Sequence, residues 1–330
     1  AMEGGESCVA TASGMAAILA TCMGLLQAGD HVVSSRSIFG TTTMLFNKYL
    51  TKFGIETSFV PLTDLGAWER AIRPETRLLF LETPSNPLLT ITDLSAIGAL
   101  ARSKGLTTLI DNTFASPVNQ NPADFGIDIM IHSATKYMGG HSDICAGAVA
   151  GSKAHIDRIF QLAKNLGGSL SDYTVWLLER SIKTMGLRVR AQNENALELS
   201  RFLNSHPDID KVYYPGLEDH PGHDIAKAQM QGFGGMLSFE LSPEVDQHTF
   251  MRSLKWVKVS MSLAGVESTL LAPSETSHAL LSPEERLKTG IRDGLIRFST
   301  GIEEIEDLKA DLAQALENSK NLKAEALTKI

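Results

Sequence analysis

Asp128-Ile-Met-Ile-His-Ser-Ala-Thr-Lys136-Tyr-Met-Gly-Gly-His-Ser-Asp143 holds a short apolar run that ends in hydroxyls and a lysine and then opens into glycines. A run of this length, closed by turn formers, reads as a buried strand. Working outward from Asp128–His132, similar runs recur at His31–Ser34, Glu56–Val60, Arg77–Leu81, Thr107–Asp111 and Cys145–Ala150. Helical patterns lie between several of them: Gly14–Leu26, Thr41–Lys52, Asp64–Ile72 and Asp93–Lys104, the last stopped by Gly105. Strands of fully apolar character that alternate with helices predict an α/β fold with a mostly parallel sheet covered on both faces. In such sheets functional residues gather beyond the carboxyl ends of the strands, which is where Lys136 stands.

Further along, residues 172–203 read as one long helical region with a break expected near Gly186. After Pro207 short strands (Lys211–Tyr214, Gly235–Glu240, Lys258–Met261, Gly294–Ser299) mix with helices at Val245–Leu254 and Glu303–Leu316. This predicts a larger α/β domain over 1–185, then a connecting helix and a smaller C-terminal α/β domain over 186–330. The polar tail from Asn318 onward reads as a fraying helix end.

The 330 residues are enough for these two units. A formal charge of −8 argues against a nucleic-acid or anionic-membrane binder, since both require a basic surface. No apolar run is long enough to span a bilayer, and the first six residues lack the parts of a signal peptide. The helix-forming, apolar character of residues 7–26 suggests a chain that begins inside a domain. Cys8, Cys22 and Cys145 are scattered, with no C-x-x-C pair, and read as small buried hydrophobes in a reduced, cytoplasmic setting.

Four groups of residues carry chemistry. Lys136 is the residue type needed to form an imine with an aldehyde, and burial near another cation would free its amine to attack; a plain surface lysine is the bland alternative. Ser133 and Thr135 beside it offer donors to a phosphate. Asp111 ends an apolar run, where a carboxylate needs a cationic partner such as a protonated ring nitrogen, unless it merely caps a turn. Ser13 and Gly14 open a helix whose free amides form an anion site, with N-capping by Ser13 an equal alternative. Arg297 lies inside an apolar strand, where a substrate carboxylate or an internal salt bridge must pair with it. His132, His141 and Asp143 flank the lysine and fit either tuning of the site or ordinary packing. His220-Pro-Gly-His223 reads as a surface loop rather than a metal site, and no metal is expected.

Together and in this order, these residues resemble the pyridoxal-phosphate (PLP) enzymes of cysteine and methionine metabolism. That family includes cystathionine γ-synthase, the cystathionine lyases, methionine γ-lyase and the homoserine-ester sulfhydrylases. The resemblance runs from Glu3-Gly-Gly5 to about Leu316. It rests on Ser133-Ala-Thr-Lys136-Tyr137, Glu82-Thr-Pro-Ser-Asn-Pro87, Asp111-Asn-Thr113, Ser262-Leu-Ala-Gly-Val-Glu-Ser268 and Leu295-Ile-Arg297.

The resemblance implies an aspartate aminotransferase-like, fold type I architecture and pyridoxal 5'-phosphate as cofactor. It implies that Lys136 holds the cofactor as a Schiff base and that Asp111 faces its pyridine nitrogen. Ser13, Gly14, Met15, Thr113, Ser133 and Thr135 would belong to the cofactor site, with the phosphate on Gly14, Met15, Ser133 and Thr135. Phe39 would stack on the ring, Asn86 would lie near the phenolic oxygen and the substrate carboxylate, and Arg297 would clamp that carboxylate. Ser262, Leu263 and Ser277 would complete the substrate site. Most of the family has Tyr where this chain has Phe39, and Ser37–Leu50 resembles the O-succinylhomoserine sulfhydrylases. The expected reaction is therefore γ-replacement on an O-acylhomoserine by sulfide or cysteine, in methionine biosynthesis. Elimination from cystathionine or methionine is the nearest rival, and a non-catalytic fragment that does not retain the cofactor is a more distant one. The family's N-terminal arm, with a Tyr-x-Arg that reaches a neighbouring subunit's phosphate, would precede Ala1. A homotetramer built from two dimers is implied, with no nucleic-acid or membrane partner.

Overall fold

The computed structural model describes residues 1–276, 279 and 282–327, without side chains at 283, 285, 288 and 321–327. The first sheet contains β1 (Ser7–Thr11), β2 (His31–Ser35), β3 (Glu56–Val60), β4 (Thr76–Glu82), β5 (Thr107–Asp111), β6 (Ile129–His132) and β7 (Gly147–Gly151). Their spatial order is β1-β7-β6-β5-β4-β2-β3. The five strands from β3 to β6 are mutually parallel, and β7 runs antiparallel to both β6 and β1. Between them come α1 (Gly14–Leu25), α2 (Gly40–Met44), α3 (Leu65–Ala71), α4 (Leu94–Lys104) and α5 (Ser116–Asn119).

Both faces of this sheet are apolar because side chains alternate across the pleat. Leu78 and Phe80 of β4 pack with α1 on one face, while Leu79 and Leu81 pack with Trp68 of α3 and Leu94 and Ile97 of α4 on the other. Each such buried aliphatic side chain contributes about 1.5–3 kcal/mol. The caps agree with the sequence: Ser13 Oγ accepts the N–H of Ala16 at 3.1 Å, and Gly105 ends α4 with φ 65°, where a side chain would be strained.

After β7 come α6 (Lys153–Asn165) and α7 (Asp172–Asn204), which leads to the second unit. There β8 (Ile209–Tyr213), β9 (Met236–Leu241), β10 (Lys258–Val259), β11 (Thr269–Leu271) and β12 (Leu295–Ser299) form a sheet of order β10-β11-β12-β9-β8. Its helices are α8 (His223–Gln229), α9 (Gln247–Ser253), α10 (Pro283–Lys288) and α11 (Ile305–Leu327).

Several expectations need correction. Ser7–Thr11 is a strand, not part of the first helix, because it finds a partner in β7 at the sheet edge. α6 and β11 are elements beyond those expected; α6 is an amphipathic helix capped by Ser152. The stretch expected as one helix over Thr41–Lys52 is broken into α2, a π turn at Leu45–Tyr49 and a 3-10 turn at Leu50–Phe53. The C-terminal helix continues past Leu316 to Leu327, and 328–330 lie outside the described residues. Cys22 is buried as expected, but Cys8 and Cys145 are exposed. His220 is buried rather than in a surface loop; its Nδ1 accepts the N–H of Gly222, and His223 bonds Pro215 O at 2.8 Å.

α7 passes through Gly186 without a break, since Met185 and Val189 bury on either side and hold the turn in register. A Cβ added at Gly186 would meet only the guanidinium end of exposed Arg190, at 3.3 Å. Gly186→Ala is therefore expected to raise stability by about 0.5–1 kcal/mol, read as a higher urea midpoint. A lower midpoint would show that the glycine is required there.

Candidate active site

The parallel register sets the site. Glu82, Asp111 and Ile131 stand side by side at the carboxyl ends of β4, β5 and β6. There Glu82 is buried and Asp111 half-buried. Asp111 accepts the N–H of Thr113 at 3.0 Å and a second bond from the Thr113 hydroxyl. Its carboxyl is raised above the ordinary range, burial outweighing the two Thr113 bonds and the charge of His132 that pull it down. Thr113 Oγ also accepts the N–H of Ser133 at 2.8 Å, which ties the loop after β6 to the loop after β5.

That loop turns tightly, with Lys136 N–H donating to Ser133 O at 3.0 Å and Gly140 N–H to Lys136 O at 2.6 Å. Arg188 of α7 holds it from behind, donating to Tyr137 O at 2.9 Å. The Lys136 amine is lowered from its ordinary range, first by burial and then by the charge of Arg297, with Cys145 opposing. A lysine so placed is a nucleophile for an aldehyde.

The start of α1 comes against this loop. A Cβ on Gly14 would sit 3.0 Å from Ser133 Cα and Cβ, so only glycine allows the approach. The Gly14 and Met15 amides lie ahead of the first intrahelical bond, Ala17 N–H to Ser13 O at 3.0 Å, and are free to face an anion. Ser13 spends its hydroxyl oxygen on the cap. Thr135 Oγ is bonded to Ala146 in both directions, at 3.0 and 3.2 Å, so it would serve a phosphate only by yielding the longer bond.

From the second sheet, Arg297 is 4% exposed. It donates to Asn86 Oδ1 at 3.5 Å and to Met261 O at 3.2 Å, and its Nε has no partner among the described residues. Burial pushes it down to about 10, which still leaves a cation at neutral pH. A buried guanidinium facing neutral acceptors lacks the anion that would offset its desolvation. Ser262 follows Met261 directly. Leu263 is buried, and Ala264 N–H donates to Ser299 Oγ at 2.7 Å. Ser277 lies outside the described residues. Phe39 caps α2 with its N–H on Glu82 Oε2 at 2.8 Å and its side chain half-exposed.

Sequence reasoning missed Glu82, which is buried beside Asp111, and Glu3, which pairs with His132 and accepts from Asn112 Nδ2 at 3.0 Å. The apolar run Leu78–Leu81 before Glu82 is the same signal that marked Asp111. Nothing in the sequence linked Glu3 to His132. His141 bonds Gly139 O, and Asp143 is exposed, so neither joins the group. Among the described residues, no cluster of His, Cys, Asp or Glu could hold a metal ion. A buried nucleophilic amine, a carboxylate facing the same edge, free helix amides and an orphaned guanidinium fit a phosphorylated aldehyde cofactor and an amino-acid carboxylate.

Comparison with known proteins agrees. Residues 1–317 match the family described as "Cys/Met metabolism PLP-dependent enzyme". Cystathionine gamma-lyase of Bacillus subtilis (strain 168) is 45% identical over 96% of this chain and 84% of its own. O-succinylhomoserine sulfhydrylase of Pseudomonas aeruginosa is 43% identical over 96% and 79%. The crystal structure of cystathionine gamma-lyase from Lactobacillus plantarum complexed with L-serine superposes with a TM-score of 0.93 at 42% identity, covering 97% of this chain and 84% of that one.

Arg297 opposes the charged form of the Lys136 amine. In Arg297→Leu less of that amine is neutral at a given pH. The pH midpoint for borohydride trapping of an aldehyde on Lys136 is expected to move up. An unmoved midpoint would show that burial alone depresses the amine.

Proposed function

The chain belongs to the Cys/Met metabolism PLP-dependent enzyme family, with pyridoxal 5'-phosphate as cofactor, and on that premise we propose that it catalyses γ-replacement on an O-acylhomoserine. O-succinylhomoserine is the proposed ester, and sulfide or cysteine the thiol, giving homocysteine or cystathionine. When bound, the cofactor supplies an electron sink for the charge left at the substrate Cα. Lys136 would hold the cofactor and, once its amine is free, move the Cα proton and then a Cβ proton, which puts the electron pair where the Cγ–O bond can break. Asp111 faces the ring nitrogen, and its contacts with Thr113 keep it oriented. Gly14, Met15 and Ser133 cradle the phosphate. Arg297 takes the substrate carboxylate, with Asn86 and Ser262 beside it; its orphaned Nε supports this pairing.

The observation that carries the choice of reaction is Phe39. Relatives of near-equal identity bear lyase and sulfhydrylase names, so likeness does not discriminate. A phenyl ring stacks on a cofactor, worth about 0.5–1.5 kcal/mol beyond burial, but neither gives nor takes a proton. Breaking the Cγ–O bond of an ester releases a carboxylate, which leaves without a proton. Breaking a C–S bond of cystathionine releases a thiolate, a poorer leaving group that gains from an acid nearby. Phe39 therefore favours the ester.

We further propose that residues 1–185 form the cofactor-binding unit and that the enzyme works in the reducing cytoplasm as a homo-oligomer. The phosphate cradle named above consists of amides and hydroxyls, and a neighbouring subunit would add a cation. Exposed Tyr173 and Trp176, their rings 6.0 Å apart and tilted by 31° on the first turns of α7, support a buried face in the assembly.

Two measurements test this reading. Wild-type protein is expected to consume O-succinylhomoserine with a thiol faster than it cleaves cystathionine, and Phe39→Tyr to shift that ratio toward cleavage; the reverse order in the wild type establishes the lyase. Asp111→Asn is expected to lose at least about 2–3 kcal/mol of transition-state stabilisation, measured as kcat/KM. Near-normal turnover would remove Asp111 from the mechanism.

A further inference from the structure

Glu82 has no part in the roles assigned so far, yet two of them hang from it. It is 5% exposed and ends β4 in direct register with Asp111 on β5. Neighbouring strands lie about 4.8 Å apart, and paired residues share a face. Its Oε2 accepts the N–H of Phe39 at 2.8 Å, and the carboxyl also accepts the N–H of Asn86. One buried carboxyl thus fixes the backbone of the ring-stacking residue and that of the residue beside Arg297. No cation among the described residues pairs with it.

Two carboxylates on one face of neighbouring strands, Glu82 buried and Asp111 half-buried, disfavour each other's ionisation. Their surroundings differ. Asp111 has the Thr113 amide and hydroxyl and the nearby charge of His132. Glu82 has two amides, and the charge acting on it is that of Asp111 itself. On its other side β2 ends in the neutral Ser34 and Ser35. Arg36 beyond them is turned toward β3, where it donates to Phe59 O.

We propose that Glu82 is a positioning residue that works as a neutral carboxylic acid, holding Phe39 and Asn86 in place and leaving Asp111 the single anion of the pair. This rests on the reading of Asp111 and Phe39 above. Burial and Asp111 both push the Glu82 carboxyl well above the usual range, against the bonds from Phe39 and Asn86. The acid keeps a carbonyl-type oxygen to accept those N–H groups, so its service as an anchor does not need the charge.

The holoenzyme is expected to show, at neutral and mildly alkaline pH, the infrared carbonyl band of a protonated carboxylic acid that Glu82→Gln removes. Glu82→Met orphans two amides and should raise the dissociation constant of pyridoxal phosphate and the KM for the ester by about tenfold or more. Glu82→Gln, which keeps an acceptor, should restore both. Absence of the band, or a Gln variant as impaired in cofactor binding as the Met variant, would overturn the proposal. Should Glu82→Met fail to fold, the band and the Gln variant still decide. Failure of the Asp111 reading would show separately, as normal turnover in Asp111→Asn with the Glu82 band intact.

Discussion

The hydrogen-bonded register of three parallel strands, β4, β5 and β6, is the constraint on which the site depends. It sets Glu82 beside Asp111 and Asp111 beside Ile131, so that the chain leaving β6 carries Lys136 past the Asp111 carboxylate. A slip of one residue would turn Asp111 toward the opposite face and bring Leu79 and Leu81 across the core. The alternation of Leu78, Leu79, Phe80 and Leu81 between two apolar layers forbids that slip. Core packing therefore fixes catalytic geometry without any catalytic residue contributing to the core.

The second unit completes the site. Arg297 projects from β12, and Ser238 of neighbouring β9 donates to Pro87 O at 2.7 Å, one residue beyond Asn86. Gln229 of α8 bonds Thr92 O and Gln120 Oε1 at 3.1 and 3.2 Å, and Gln120 in turn bonds Asn112 at 2.9 Å. Arg188, on the helix that leads to the second unit, grips the backbone after Lys136. Buried polar networks of this kind are costly when half made and rigid when complete. They give Arg297 and Lys136 a common frame.

Much of this was legible in the sequence, and the reason is physical. Strands buried on both faces must be apolar throughout, so His31–Ser34, Thr107–Asp111 and the others stood out, and polar residues at their ends stood out with them. Ser7–Thr11 did not, because an edge strand buries every second residue only, and Ser-Cys-Val-Ala-Thr suits a helix equally well. Gly186 looked like a break because a lone glycine weakens a helix; buried Met185 and Val189 outweigh it. The chemistry of Glu82 does not show in its own motif, since its meaning comes from a partner 29 positions away across the sheet. The Glu3–His132 pair spans a longer separation still, between segments that periodicity cannot connect.

What the fold achieves at this edge is a separation of like charges. Lys136 lies in the field of Arg297, and its protonated form is disfavoured by burial first and by the guanidinium second. Glu82 faces Asp111, and one of two carboxyls gains by keeping its proton; the better-solvated partner is Asp111. Environments that drive paired groups apart are how a site holds a base and an acid at one pH. Both divisions need only burial and register. Neither supplies an acid at the position of Phe39, where a leaving group would need one. On the proposed reading the Lys136 amine would take the Cα proton and then a Cβ proton, since only an electron pair at Cβ can expel a carboxylate from Cγ. A thiolate, the poorer leaving group, gains more from an acid nearby, so on the proposed reading the side chain at residue 39 bears on which group departs.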